Sequence, residues 1–213
     1  MLVLASASPR RRALLTQAGL SFQVESISVD EVRRPGEDAV HLVQRLARNK
    51  AEAVFHARTH ASPPAVDSTP EPLLILGADT VVFCDQEILG KPADDADAMR
   101  MLRLLTGRTH QVITGVCLIS LFGSQVETKI ATESTNVTML KMSDEEIRAY
   151  VATGEPMDKA GAYAIQGRAS RWIPRISGCY FNVVGLPLRL VNTMIEAAQR
   201  KFSQTTEMRM PHP

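Results

Sequence analysis

The chain opens on four apolar residues, Leu2–Ala5, and turns polar at Ser6-Ala7-Ser8. That run reads as a short buried strand, with Ser8 as a helix N-cap and Pro9 at the first helical position. The helix is predicted to reach about Ala18, with Leu14, Leu15 and Ala18 facing inward, and to stop on Gly19 as a left-handed cap. Phe22–Ile27 reads as a second strand, followed by a turn at Val29-Asp30-Glu31. From Glu37 to about Phe55 the apolar positions recur with a helical period. Ala39, Leu42, Val43, Leu46, Ala47, Ala51 and Val54 form one stripe, and Lys50 falls on it. The proline-rich segment His60–Pro72 predicts an exposed loop.

Leu73–Phe83 reads as a central strand interrupted by Gly77-Ala78-Asp79-Thr80. Ile88-Leu89 reads as a hairpin arm that ends at Gly90-Lys91-Pro92. Asp95–Leu105 predicts a helix carrying Met99, Leu102 and Leu105 and stopping at Gly107. Gln111–Leu121 is apolar at successive positions, as in a strand covered on both faces, and Val126–Leu140 alternates as its antiparallel neighbour. Ser143 and Glu146 make a capping box for a helix through Ile147, Tyr150 and Val151 to Gly154. Short strands are expected near Tyr163–Gln166 and Trp172–Ile176, then a turn at Ser177-Gly178 leading into Tyr180–Val184, and a last helix over Pro187–Phe202. Residues 203–213 read as a flexible polar tail, which leaves a single domain over residues 1–202. Strands and helices mix without regular βαβ alternation, so the expected class is α/β with a mixed sheet and helices around it.

Charge narrows the function. Among 213 residues, 24 basic and 23 acidic side chains give a formal charge of +1. No global field exists to hold nucleic acid, so any anion must be bound by a local cluster. The three cysteines, Cys84, Cys117 and Cys179, make no CxxC pair and read as buried reduced thiols. The five histidines show no zinc spacing. The N-terminus lacks a signal-peptide layout and no apolar stretch reaches the length of a membrane span, so a cytoplasmic location is expected.

Candidate chemistry begins with Asp79. A carboxylate between Leu-Leu-Ile-Leu and Val-Val-Phe must find a cation, a metal or hydrogen bonds, or else cap its own turn. Lys50 on an apolar stripe poses the same question from the other side, with snorkelling to water as its plain alternative. Lys91, fixed between glycine and proline, is either directed or an ordinary surface lysine. Arg10, Arg11 and Arg12 crowd a helix start that favours negative charge. Together with Glu31 and Asp79, these residues suit a polyphosphate-plus-metal site. Lysine and arginine neutralise phosphate, Ser6–Ser8 offer donors before a helix start, and carboxylates bind magnesium. A carboxylate or metal then activates a water to attack phosphorus. The chain has no GxxxxGK[ST], no GxGxxG after a strand and no GxSxG, which argues against P-loop enzymes, dinucleotide-binding dehydrogenases and α/β-hydrolases.

The segments LASASPRRRALL, LARNKA, LGADTVV, GKP, TGRTHQVITGV, GEPMDKAGAYAIQG and NVVGLPL follow one another along residues 2–188. In that order they resemble the Maf family of nucleoside triphosphate pyrophosphatases. The resemblance implies an α/β fold related to the inosine triphosphate pyrophosphatases: an elongated, curved mixed sheet with surrounding helices and a cleft between two lobes. It also implies a homodimer, a divalent metal (Mg²⁺ or Mn²⁺), and hydrolysis of a nucleoside triphosphate to the monophosphate and diphosphate. Asp79 is then the general base or metal-linked carboxylate and Glu31 its partner at the metal. Ser6, Arg11, Lys50 and Lys91 hold phosphates, and Arg12 is a surface charge. Gln166, with Arg10 and Thr80, matches the branch that acts on dTTP and UTP. A glutamine amide pairs with part of the acceptor–donor–acceptor edge of uracil and thymine. The alternatives are a non-enzymatic nucleotide- or RNA-binding regulator of cell division, which the near-zero charge and few aromatics argue against, and a phosphatase releasing single phosphates.

Overall fold

The computed structural model describes residues 1–61 and 72–209. Its strands are β1 (Leu2–Ala5), β2 (Gln23–Glu25), β3 (Leu73–Cys84), β4 (Glu87–Leu89), β5 (Thr109–Phe122), β6 (Gln125–Thr138) and β7 (Arg175–Ser177). The helices are α1 (Pro9–Gln17), α2 (Ala39–Ala61), α3 (Asp95–Leu105), α4 (Asp144–Val151), α5 (Tyr180–Val184) and α6 (Leu188–Arg209). All seven strands join one mixed sheet in the order β2-β1-β3-β5-β6-β7, with β4 on β3. Strand β1 runs parallel to β2 and β3, and the remaining pairs are antiparallel. This is the expected α/β class.

Local chemistry explains most boundaries. Ser8 caps α1 and Gly19 closes it at a φ of +71°. Asp94 accepts from the Asp97 N–H at the start of α3. In the Ser143/Glu146 capping box, the Ser143 hydroxyl accepts from Glu146 N (3.2 Å) and the Glu146 carboxylate from Ser143 N (2.8 Å). The whole predicted stripe of α2 is buried.

Several expectations change. Strand β3 is not interrupted: it pairs with β5 without a break from Leu73 to Phe83. The glycines serve the helix above it. A Cβ on Gly77 would lie 2.1 Å from Ala47 O, and one on Gly115 2.4 Å from Val43 O. Helix α2 therefore rests its backbone directly on β3 and β5. It also runs six residues beyond the predicted end, to Ala61, so the expected loop begins later, and residues 62–71 lie outside the described residues.

The strand expected at Phe22–Ile27 shrinks to Gln23–Glu25, because its partner β1 is only four residues long. Tyr163–Gln166 forms no strand. Tyr163 is extended, but Ile165–Gly167 turn and a 3₁₀ helix follows over Arg168–Trp172. Strand β7 starts only at Arg175, where β6 still offers an edge at Asn136–Thr138. Ala18 is exposed rather than inward, and on α3 Met101 takes the fully buried place while Met99 is half-buried. Helix α6 extends to Arg209, past the expected end at Phe202; residues 210–213 lie outside the described residues. Cys84 and Cys117 are buried, and Cys179 is half-buried; the three thiols are free.

The core divides on either side of the site. One cluster joins α3, α4 and the 3₁₀ segments to the sheet through Val82, Leu102, Leu105, Ile147, Tyr150 and Trp172. Another joins α1, α5 and α6 through Leu4, Leu15, Leu76, Leu118, Leu186 and Val191. A cleft of about 890 Å³ takes its lining from both.

Candidate active site

The cleft exists because one edge of β3 is left open. Strand β1 covers that edge at Leu74–Leu76 and β4 covers it at Val82–Cys84, so Gly77–Val81 carry no strand there. Side-chain alternation along β3 sends Gly77, Asp79 and Val81 toward α2, and Ala78 and Thr80 toward α1 and α5. Chemistry from both faces thus reaches one gap. Ser6, Arg10, Arg11, Glu31, Lys50, Asp79, Thr80, Lys91 and Gln166 all line it. Arg12 is exposed on α1, away from the lining.

Asp79 and Lys50 answer each other. The close seat of α2 on Gly77 and Gly115 brings Lys50 Nζ to 2.6 Å from Asp79 Oδ1 and 2.6 Å from Glu31 Oε1. Asp79 is 8% exposed and stands opposite Gly115 in the ladder. Partial burial acts to raise the Glu31 pKa. The Lys50 hydrogen bond and charge, with the charges of Lys91 and Arg11, outweigh it and hold the carboxyl below its ordinary value. The loop bearing Glu31 is clamped in turn. Arg45 Nε donates to Glu37 Oε1 (2.6 Å) and Arg45 Nη2 to Glu37 Oε2 (2.8 Å) and Val32 O (3.0 Å). That pairing keeps Glu37 ionised, with its pKa lowered to about 2.

The three arginines separate. Arg11 is buried and donates to Gly185 O (2.9 Å), Ser6 Oγ (3.3 Å), Ala78 O (2.8 Å) and Thr80 Oγ1 (3.1 Å). Four of its five N–H groups are thereby spent on the protein. Burial lowers its pKa, and the charge of Asp79 acts in the opposite sense. Arg11 is a strut tying α1 to the open edge of β3, with one Nη2 hydrogen left over. Ser6 Oγ accepts from Ser8 N (3.2 Å) and Arg11, which leaves its own hydroxyl hydrogen to donate. Arg10 crosses the cleft mouth to Asp158, with Nη1 2.8 Å from Oδ2 and Nη2 3.1 Å from the carbonyl oxygen. Thr80 Oγ1 lies 2.9 Å from Thr114 Oγ1.

Gln166 projects from a turn rather than a strand. Asp158, Lys159 and Tyr163 also line the cleft. Their motif carries the family resemblance without marking a role for them, since only the folded chain brings Asp158 opposite Arg10. Tyr163 Oη lies 2.7 Å from Nε2 of the buried His110, whose pKa burial lowers to about 4. Lys91, exposed at the end of β4, acts on the site by its charge.

Two carboxylates beside lysines and helix-start donors fit a magnesium-like ion. Such an ion takes one or two protein carboxylates and otherwise water and substrate phosphates. In Glu31 and Asp79, the oxygen not facing Lys50 takes no hydrogen bond among the described residues. No group of three or more metal-ligating side chains occurs among those residues. No described helix is long and apolar enough to cross a membrane.

Known proteins place the chain. Two curated relatives named dTTP/UTP pyrophosphatase are 52% identical over 197 residues in Koribacter versatilis (92% of this chain, 94% of the relative) and 50% identical over 194 residues in Symbiobacterium thermophilum (91% and 92%). A third, in Syntrophomonas wolfei, is 45% identical over 192 residues (90% and 94%). Among solved structures, the Ham1 protein of Staphylococcus aureus aligns over 65% of this chain and 71% of its own, with a TM-score of 0.41 and 15% identity. The family described as Maf-like protein matches residues 1–198. A match of that extent, with relatives at half identity over nine-tenths of both chains, makes this chain a member of the Maf family.

Proposed function

We propose that this protein hydrolyses nucleoside triphosphates, preferentially dTTP and UTP, to the monophosphate and diphosphate. The observation that carries the reading is the Lys50 ammonium joined to both Glu31 and Asp79 inside a cleft lined also by the start of α1 and by Gln166. The relatives' name, dTTP/UTP pyrophosphatase, agrees with it.

The triphosphate lies across the open edge of β3. Ser6 donates its hydroxyl, and Lys50, Lys91 and the fixed charge of Arg11 offset the phosphate charge. Asp79 takes a proton from a water as the water oxygen bonds to the α-phosphorus. The bond from the α-phosphorus to the bridging oxygen breaks, and diphosphate leaves. Gln166, with Arg10 and Thr80 nearby, sets the choice of base. A divalent cation held by Glu31 and Asp79 would supply Lewis-acid stabilisation of the phosphate charge. A homodimer and a cytoplasmic location complete the proposal on the strength of the family resemblance.

The test is a nucleotide panel with Mg²⁺ and product identification. Diphosphate from dTTP and UTP supports the reading. Diphosphate from other triphosphates only overturns the base assignment. Release of single phosphates, or RNA binding without turnover, replaces the reaction.

A further inference from the structure

We infer that Glu155 is a positioning residue for Gln166, and that Gly167 is present to make room for its carboxylate. The inference rests on the reading of Gln166 as the base-selecting residue.

Gln166 sits at an exposed turn, where Gly167 N donates to Ala164 O (3.0 Å). Such a turn has little rigidity of its own, yet a base-reading amide must hold its orientation to discriminate. The fixing groups come from a separate segment. Glu155 begins the 3₁₀ turn Glu155–Asp158 after Gly154, which adopts a left-handed φ of +72°. Its Oε1 and Oε2 accept from Arg168 N at 3.0 and 3.2 Å, just beyond Gln166. Oε1 also accepts from Tyr150 Oη (2.9 Å), and that phenol oxygen accepts from Ala164 N (3.3 Å), just before Gln166. One carboxylate–phenol pair therefore ties both ends of the turn. Burial and the neighbouring Glu155 raise the Tyr150 pKa, so the phenol keeps the proton it donates.

Gly167 supplies independent support. Its backbone is extended, with a negative φ of −101°, so it lies outside the left-handed region that calls for glycine. Space calls for it instead. A Cβ at this position would lie 2.0 Å from Glu155 Oε1 and 2.5 Å from its Cδ. The side chain of Glu155 and the missing side chain of Gly167 form one fitted contact beneath Gln166.

Three variants test this: Glu155→Ala, Gly167→Ala and the double variant. Each is measured for KM and kcat on dTTP, UTP and a purine triphosphate, and for amide exchange of residues 164–168 in the free protein. A hydrogen bond to a charged group is worth enough that its loss is expected to lower the kcat/KM preference for dTTP over the purine about tenfold, mainly through KM. Exchange of the Arg168 amide should accelerate by a similar factor. Gly167→Ala should reproduce the loss with Glu155 in place, and the double variant should be no worse than Glu155→Ala, because the clash has gone. Unchanged exchange in Glu155→Ala, or additive losses in the double variant, overturns the inference. Faster exchange with an unchanged base preference overturns it too, and leaves the substrate reading standing. A wild-type enzyme with no preference among bases overturns the substrate reading and this inference with it.

Discussion

Asp79 sits between two hydrophobic stretches, and the charge that compensates it comes from a different element. At this scale the chain's chemistry was open to reading: a buried carboxylate and a lysine on an apolar stripe each lacked a partner, and each is the other's. Replacing Asp79 with Asn keeps the shape and a hydrogen-bond acceptor for Lys50 but removes the proposed base. Diphosphate release should fall by about 10²- to 10⁴-fold with the fold intact by circular dichroism. Full activity in that variant would remove Asp79 from the reaction. His110 makes a separate prediction. Its folded pKa is lowered to about 4 by burial, against about 6.5 when unfolded. Between those values the unfolded chain binds a proton that the folded chain does not, so stability is full above about pH 6.5 and falls with acidification toward pH 4. The loss amounts to about 3 kcal/mol. Urea midpoints at pH 7 and 4.5 should show it in the wild type and much less of it in His110→Gln.

Elements were legible where their signals are local. The α4 capping box, the span of α3 and the α2 stripe depend on neighbours three or four residues away, and all stand where the sequence puts them. The reading failed where the deciding partner is distant. Gly77 looked like a break in a strand, but it is a seat for a helix 26 to 30 residues earlier in the chain. Gly77→Ala and Gly115→Ala would each press a Cβ into the α2 backbone, and overpacking of that kind costs about 1–3 kcal/mol or more. Both variants should lower the melting temperature. Both should also lower kcat, since lifting α2 draws Lys50 away from Asp79. Normal kcat with a lowered melting temperature would show that the seat matters only for stability. Tyr163–Gln166 failed for a related reason: its alternation mimics a strand, but hydrogen bonds from Ala164 N to Tyr150 Oη and from Arg168 N to Glu155 Oε1 hold it as a turn.

For the whole molecule, the cleft takes its lining from two core clusters. Arg10 and Asp158 join α1 to the 155–158 turn as a part-exposed ion pair, a kind of contact that contributes about 0–1 kcal/mol. The two sides are held mainly by the long β3–β5–β6 ladder beneath them. This arrangement predicts how chelation behaves. EDTA should stop diphosphate release, yet the melting temperature should hardly move, because Lys50 already pairs with both Glu31 and Asp79 without a cation. A large drop in melting temperature on chelation would mean that the metal holds the fold as well as the substrate.

By itself, the sequence determined the α/β class, most helices, the buried stripe of α2, and nine of the polar residues that line the cleft (Ser6, Arg10, Arg11, Glu31, Lys50, Asp79, Thr80, Lys91 and Gln166), because these follow from short-range periodicity, capping chemistry and collinear motifs. Only the tertiary structure decided how those residues divide their tasks. Three consecutive arginines point apart on a helix, and what each one meets depends on chain more than 60 residues away. Arg11 is consumed by carbonyls and hydroxyls of β3 and the Gly185 turn, Arg10 spans to Asp158, and Arg12 remains in solvent. Long-range packing, which leaves no mark on local spacing, made one of them a strut and another a bridge.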